Sequence, residues 1–205
     1  MSNALGLPLL DPNLSFLETF DSVFANLLGG RAEGFRTIFT NLVSNPRIVE
    51  TGCLRAVGNW SGDGQSTYLF NFFTRKNGGS VHSIDVNQSS IERARELCPE
   101  TSFYVGDGAK TILQLINLYP IIDLLYLDSF DAFRDVSVIP APVHYLVELC
   151  AAWPLLRRGS LVAIDDIHSA EAPGQEASKG LGVGIFMEAV GAEVLHDNYI
   201  KVWKI

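Results

Sequence analysis

Cysteine is scarce and poorly spaced for chemistry. Cys53, Cys98 and Cys150 are odd in number, far apart and never arranged as C-x-x-C, which argues against both a disulfide framework and a zinc knuckle. A reducing compartment, the cytoplasm, is the expectation. Positive charge is also short: 15 Lys and Arg face 23 Asp and Glu, for a formal net charge of -8. Phosphate-backbone affinity rests on clustered Lys and Arg, so a nucleic-acid partner is not expected. Long apolar runs are missing. The most apolar stretch, YPIIDLLYLD, is interrupted by Asp123 and is too short to span a bilayer. The opening MSNALGLPLLDPN has neither the charged start nor the sustained apolar core of a signal peptide, and nothing basic precedes Arg31. Neither export nor a membrane partner is expected. Internal repeats, low-complexity tracts and a compact G-x-G-x-x-G turn are absent as well.

What the chain does have is apolar material. With 47% hydrophobic residues and a mean hydropathy of +0.19, its 205 residues suit one globular core. Leu14, Leu17, Phe20, Val23/Phe24 and Leu27/Leu28 recur at three and four, which marks one helix face ending at Gly29-Gly30. A second stripe through Phe35, Ile38/Phe39 and Leu42/Val43 stops before Asn45-Pro46. Residues 1–45 therefore read as an N-terminal helical extension, whose apolar stripe either caps a substrate pocket or forms a homodimer contact.

From residue 46 the pattern alternates. Strand candidates RIVET, SVHSID, TSFYVGD, IDLLYLD, SLVAIDD, AEVLHD and YIKVWKI are interleaved with helical segments near 64–76, 88–97, 108–118, 141–156 and 180–190. Such alternation builds an α/β, doubly wound, mostly parallel sheet with helices on both faces. The last two strands are too close for a helical crossover and must pair as an antiparallel hairpin. A seven-stranded Rossmann-like sheet with an antiparallel C-terminal hairpin strand is the expected fold, and it is the plan of class I methyltransferases rather than of dinucleotide-binding proteins.

Ligands of open α/β sheets sit outside the carboxyl ends of the strands. Here Glu50, Asp85, Asp107, Asp128 and Asp165-Asp166 close five successive strand candidates. One such acid is an ordinary helix cap, but five in one sheet are hard to attribute to capping. S-adenosylmethionine offers each a partner. Asp85 would accept from both ribose hydroxyls, and Asp107, between glycines in VGDGA, from the adenine amino group. Gly52 leaves room for the methionyl part, while Ser66 and Thr67, opening a helix after Gly64, face its carboxylate. Cys53 follows the key glycine, either lining this pocket or simply packing.

The ordered set VETG…GDGQST, HSID, VGDG, LLYLDS and LVAIDD resembles the class I S-adenosylmethionine-dependent methyltransferases. It is most similar to the small aspartate-rich families that include the catechol-type, metal-dependent O-methyltransferases. The resemblance covers residues 46–205, which it implies are a methyltransferase domain. It further implies that Asp128, Asp165 and Asp166 hold a divalent cation, Mg²⁺ or Ca²⁺, and that a small-molecule hydroxyl or a sugar is the acceptor. Two departures stand out: the turn after Gly52 runs on to Gly64, and the lysine three residues after the first metal aspartate is Asp131 here.

A cation at that trio would acidify and orient an acceptor hydroxyl. Asp128 and His168 are the catalytic candidates. His168 has a pKa suited to neutral-pH proton transfer, against the plainer role of a solvated loop histidine. His144 reads as a packing or surface residue, His82 as structural, and His196 as remote from this rim. Arg55 and Trp60 gate the site or pack over the sheet edge. The segment SAEAPGQEASKG is a lid presenting Lys179 to an anionic acceptor, or a surface loop. The alternatives to catalysis are a non-catalytic S-adenosylmethionine-binding module and a nicotinamide-dependent oxidoreductase, the latter needing the compact glycine turn that residues 50–67 do not supply.

Overall fold

The structure, a computed structural model, describes residues 7–60, 65–116, 118, 120–130, 141–167 and 179–205. Seven strands form one sheet: β1 (Arg47–Thr51), β2 (Ser80–Asp85), β3 (Ser102–Val105), β4 (Leu124–Leu127), β5 (Leu161–Ile164), β6 (Glu193–Asp197) and β7 (Lys201–Lys204). Their order is β3-β2-β1-β4-β5-β7-β6. The first five run parallel, and β7 inserts antiparallel between β5 and β6 as the hairpin spacing requires. Central β4 and β5 are buried along their whole length, which explains why LLYL and LVAI read as continuous apolar runs.

The period-two alternation of these strands splits the core by face. Ile48, Leu124, Tyr126, Leu161 and Val202 point to one side, while Val49, Leu125, Leu127, Val162 and Trp203 point to the other. Along the chain the helices are α1 (Phe16–Thr19), α2 (Ala25–Leu28), α3 (Ala32–Asn41), α4 (Gln65–Asn77), α5 (Gln88–Leu97), α6 (Gly108–Leu115), α7 (Ala141–Ala152) and α8 (Leu181–Ala189).

The N-terminal stripe forms as its spacing predicts, with one addition: α1 and α2 are joined by a π-helical segment, Phe20–Phe24. Ser15 caps α1 through a reciprocal pair with Glu18. Gly29, at φ 55°, breaks the run after α2, and a 3₁₀ turn, Gly29–Arg31, leads into α3. Phe16, Phe20, Phe35 and Phe39 then pack with Phe70 and Phe73 of α4 and with Tyr126 of β4. The N-terminal helices thus share one core with the sheet, and this packing delivers Arg31 to the carboxyl end of β5.

Candidate functional site

The site starts at Gly52, just past β1. Its φ of 82° is open to glycine, and a side chain there would run into the backbone of Asp128 at the end of β4. Its N–H donates to Ile84 O at 2.8 Å, binding the turn to the end of β2. Asp85, the next residue along β2, accepts from Cys53 N–H at 3.0 Å and from Asn87 N–H at 2.7 Å, one on each carboxylate oxygen. Gly52, Cys53, Asp85, Asn87, Asp128 and Ser129 line a cleft of about 200 Å³ at the carboxyl edge of the sheet.

Behind that cleft is a buried scaffold. Glu50 is fully buried, and its Oε2 accepts from Thr67 Oγ1 at 2.7 Å and Ser83 Oγ at 2.6 Å. Burial pushes its carboxyl up to about 7, against the pull of the hydroxyls of Ser66, Ser83 and Thr67. Thr67 also accepts from Leu54 N–H at 3.0 Å, so this one hydroxyl clips the long turn to β1. Glu50, Ser66 and Thr67 are buried and are not among the described residues that line the cleft. Burial pushes the thiol of Cys53 up, which favours its protonated form. Asp107 caps α6, accepting from Lys110 N–H at 3.0 Å, and lies outside the cleft lining. Gly64, Asp131 and His168, with most of the SAEAPGQEASKG segment, lie outside the described residues.

The aspartate trio is arranged differently from the expectation. Asp165, 1% exposed, uses Oδ2 to accept from Tyr126 OH at 2.7 Å and from the Arg31 guanidinium, while its Oδ1 accepts the backbone N–H of Asp166 at 3.0 Å. Arg31 is itself 2% exposed; burial opposes its charge and Asp165 more than restores it. Asp166 sits at φ 57° and accepts from Lys179 Nζ at 3.1 Å. The same ammonium is 3.6 Å from Asp128 Oδ1. Burial is opposed at Asp166 by Lys179, which holds that carboxyl below the usual range, whereas burial and Asp165 push Asp128 well above it.

A divalent cation needs several oxygen lone pairs converging on one point. Here one carboxylate is engaged by an arginine and a tyrosine, and the other two face a lysine. The donors present do not fit the Mg²⁺ or Ca²⁺ site that the family resemblance implied at Asp128, Asp165 and Asp166. Among the described residues, no group of three or more His, Cys, Asp or Glu side chains is placed to hold a metal ion.

Sequence reasoning missed a second buried network. Glu148 of α7, fully buried, accepts at Oε2 from Thr51 Oγ1 and Ser129 Oγ, both at 3.0 Å, and so braces the ends of β1 and β4. His144 Nε2 lies 3.2 Å from Glu148 Oε1, which raises the imidazole pKa. Gly108 packs directly on Glu148, where any side chain would collide. An acid in the otherwise apolar HYLVELC, four residues past a histidine, was the available signal. His82 is buried between Tyr104 and Ser80, and burial lowers its pKa to about 4, in keeping with a structural role.

No family model matches this chain, and no curated protein matches it either. Solved structures do. MycE, a methyltransferase from the mycinamycin biosynthetic pathway, in complex with Mg, SAH and mycinamycin VI, aligns with a TM-score of 0.62 at 15% identity, over 94% of this chain and 55% of its own. The chain thus spans about half the length of MycE. CalS11, a calicheamicin methyltransferase, aligns with a TM-score of 0.54 at 14% identity, over 95% of this chain and 86% of its own. A TehB-like SAM-dependent methyltransferase from Corynebacterium glutamicum aligns at 0.50 and 20% identity, over 91% and 96%. At these identities the likeness is one of fold: the seven-stranded, Rossmann-like fold of S-adenosylmethionine-dependent methyltransferases.

Proposed function

We propose that this chain is an S-adenosylmethionine-dependent methyltransferase acting on a hydroxyl oxygen of a small molecule or sugar. The observation that carries the reading is the Asp85 carboxylate standing in the same cleft lining as Gly52. Two backbone N–H groups hold the Asp85 carboxylate in place, and each of its oxygens keeps a lone pair for a ribose diol. The fold likeness supports it, and one of the fold's neighbours, CalS11, is described as a TDP-rhamnose 3'-O-methyltransferase.

Bound S-adenosylmethionine would supply an electrophilic methyl group on a sulfonium, which the acceptor oxygen takes in line as the sulfur leaves as a neutral thioether. Gly52 lets the backbone approach closely, and Asp85 fixes the adenosyl end. Asp128 lines the cleft, where its carboxylate can receive the acceptor's proton. His168 is the competing base. A divalent cation forms no part of the proposal, because the carboxylates that would hold it are engaged by Arg31, Tyr126 and Lys179.

Incubation with methyl-labelled donor and a set of sugar and phenolic acceptors should yield a labelled methyl ether. Asp128→Asn should slow its formation by about a hundredfold or more, with His168→Gln much less affected. Label found on nitrogen would contradict the oxygen target. Cofactor binding without transfer to any acceptor would favour the non-catalytic module.

A further inference from the structure

We propose that Lys179 is the resident cation of this site, a positioning residue that stands where a divalent metal would otherwise bridge Asp128 and Asp166. The inference rests on the methyltransferase reading for its chemical meaning and on the geometry of the rim for its argument. Lys179 is 3% exposed, so its ammonium is withdrawn from bulk water. Its Nζ donates to Asp166 Oδ2 at 3.1 Å and stands 3.6 Å from Asp128 Oδ1.

The surroundings fix the lysine in this place. Gly180, the next residue, packs where any side chain would meet Ile167. Asp166 adopts the left-handed region, which a non-glycine residue rarely does, while its carboxylate meets the ammonium. The third carboxylate, Asp165, is neutralised separately by Arg31. Two cations built into the chain thus balance the charge that a metal would balance in a free aspartate trio. Lys179 would act through Asp128, the carboxylate that lines the cleft and stands 3.6 Å from its ammonium. The bonds made and broken are those of methyl transfer itself, with the acceptor's proton passing to Asp128 and then to water.

The test is calorimetric titration of chelator-treated protein with Mg²⁺, for wild type, Lys179→Met and Lys179→Arg, with S-adenosylhomocysteine titrated in parallel. Wild type and Lys179→Arg should show no saturable Mg²⁺ binding. Lys179→Met should acquire it, at least tenfold tighter than wild type, because its carboxylates are freed. Saturable binding in wild type, or no gain in a folded Lys179→Met, overturns the proposal. If Lys179→Met does not fold, wild type decides alone. Its thermal midpoint should respond equally to Mg²⁺ and to Na⁺ at matched ionic strength, and a Mg²⁺-specific rise overturns the assignment. Failure of S-adenosylhomocysteine to bind any variant would sink the functional reading while leaving the Mg²⁺ comparison to decide the role of Lys179.

Discussion

Glu50 is a side chain whose acidity the fold changes strongly. In the native protein it holds its proton up to about 7, whereas the unfolded chain releases it near 4.5. Between those values the native state binds more protons, so this group's contribution is full below 4.5 and is lost as pH rises through 7. The change is on the order of 3 kcal/mol. His82 runs the opposite way: its folded pKa near 4 lies below 6.5, so its contribution is lost as pH falls through that window. Glu50→Gln separates the two. The stability of wild type relative to this variant, from urea unfolding, should fall between pH values on either side of the Glu50 window; parallel profiles would refute the assignment. Arg31→Met should cost about 3 to 5 kcal/mol, since it strands a buried Asp165, and Asp165→Asn in the same chain should recover part of that. The places of Gly52 and Asp85 at the strand ends and in the cleft were legible in sequence, because both are local to their strands. Arg31 was not, since its partner lies 134 residues away and no local pattern encodes that meeting.

Elements were more legible than contacts. RIVET and SVHSID form β1 and β2 over the same residues, and α5 matches its expected span, because alternation and helical period are local signals. Strands β3, β4 and β5 are shorter than their candidate segments, as the terminal acids and glycines belong to caps and turns. The π-helical segment left no mark, since its extra residue shifts register without changing the apolar stripe. Gly34 was also silent. In α3 it lies against Ile200, where a built side chain would stand 2.6 Å from the Ile200 Cβ. Gly34→Leu should therefore wedge α3 from the hairpin and destabilise the protein by about 1 to 3 kcal/mol in denaturant unfolding. An unchanged midpoint would show that the contact relaxes freely.

At the scale of the molecule, hairpin spacing alone placed β7 antiparallel, and the strand ends gathered their acids at one edge as expected. What those acids do was only half legible. The family resemblance pointed to a metal trio, but charge balance is a tertiary property: Arg31 arrives from the N-terminal helices and Lys179 from just before α8. Those helices share their core with the sheet. Removing residues 1–45 should expose Tyr126 and the aromatic face of α4 and abolish cooperative unfolding, as followed by circular dichroism. Among the described residues, no helix is long and apolar enough to cross a membrane.

The central claim is that the cleft between Gly52 and Asp85 holds an adenosyl group. Its most direct test is calorimetric titration of wild type and Asp85→Ala with S-adenosylmethionine, S-adenosylhomocysteine and NAD. Wild type should bind both sulfur nucleotides in the micromolar range and leave NAD unbound. Asp85→Ala should bind them at least about tenfold more weakly, as expected when hydrogen bonds to a charged group worth about 1.5 kcal/mol or more are lost. Binding of NAD with neither sulfur nucleotide would contradict the account and return the long glycine turn to a dinucleotide site.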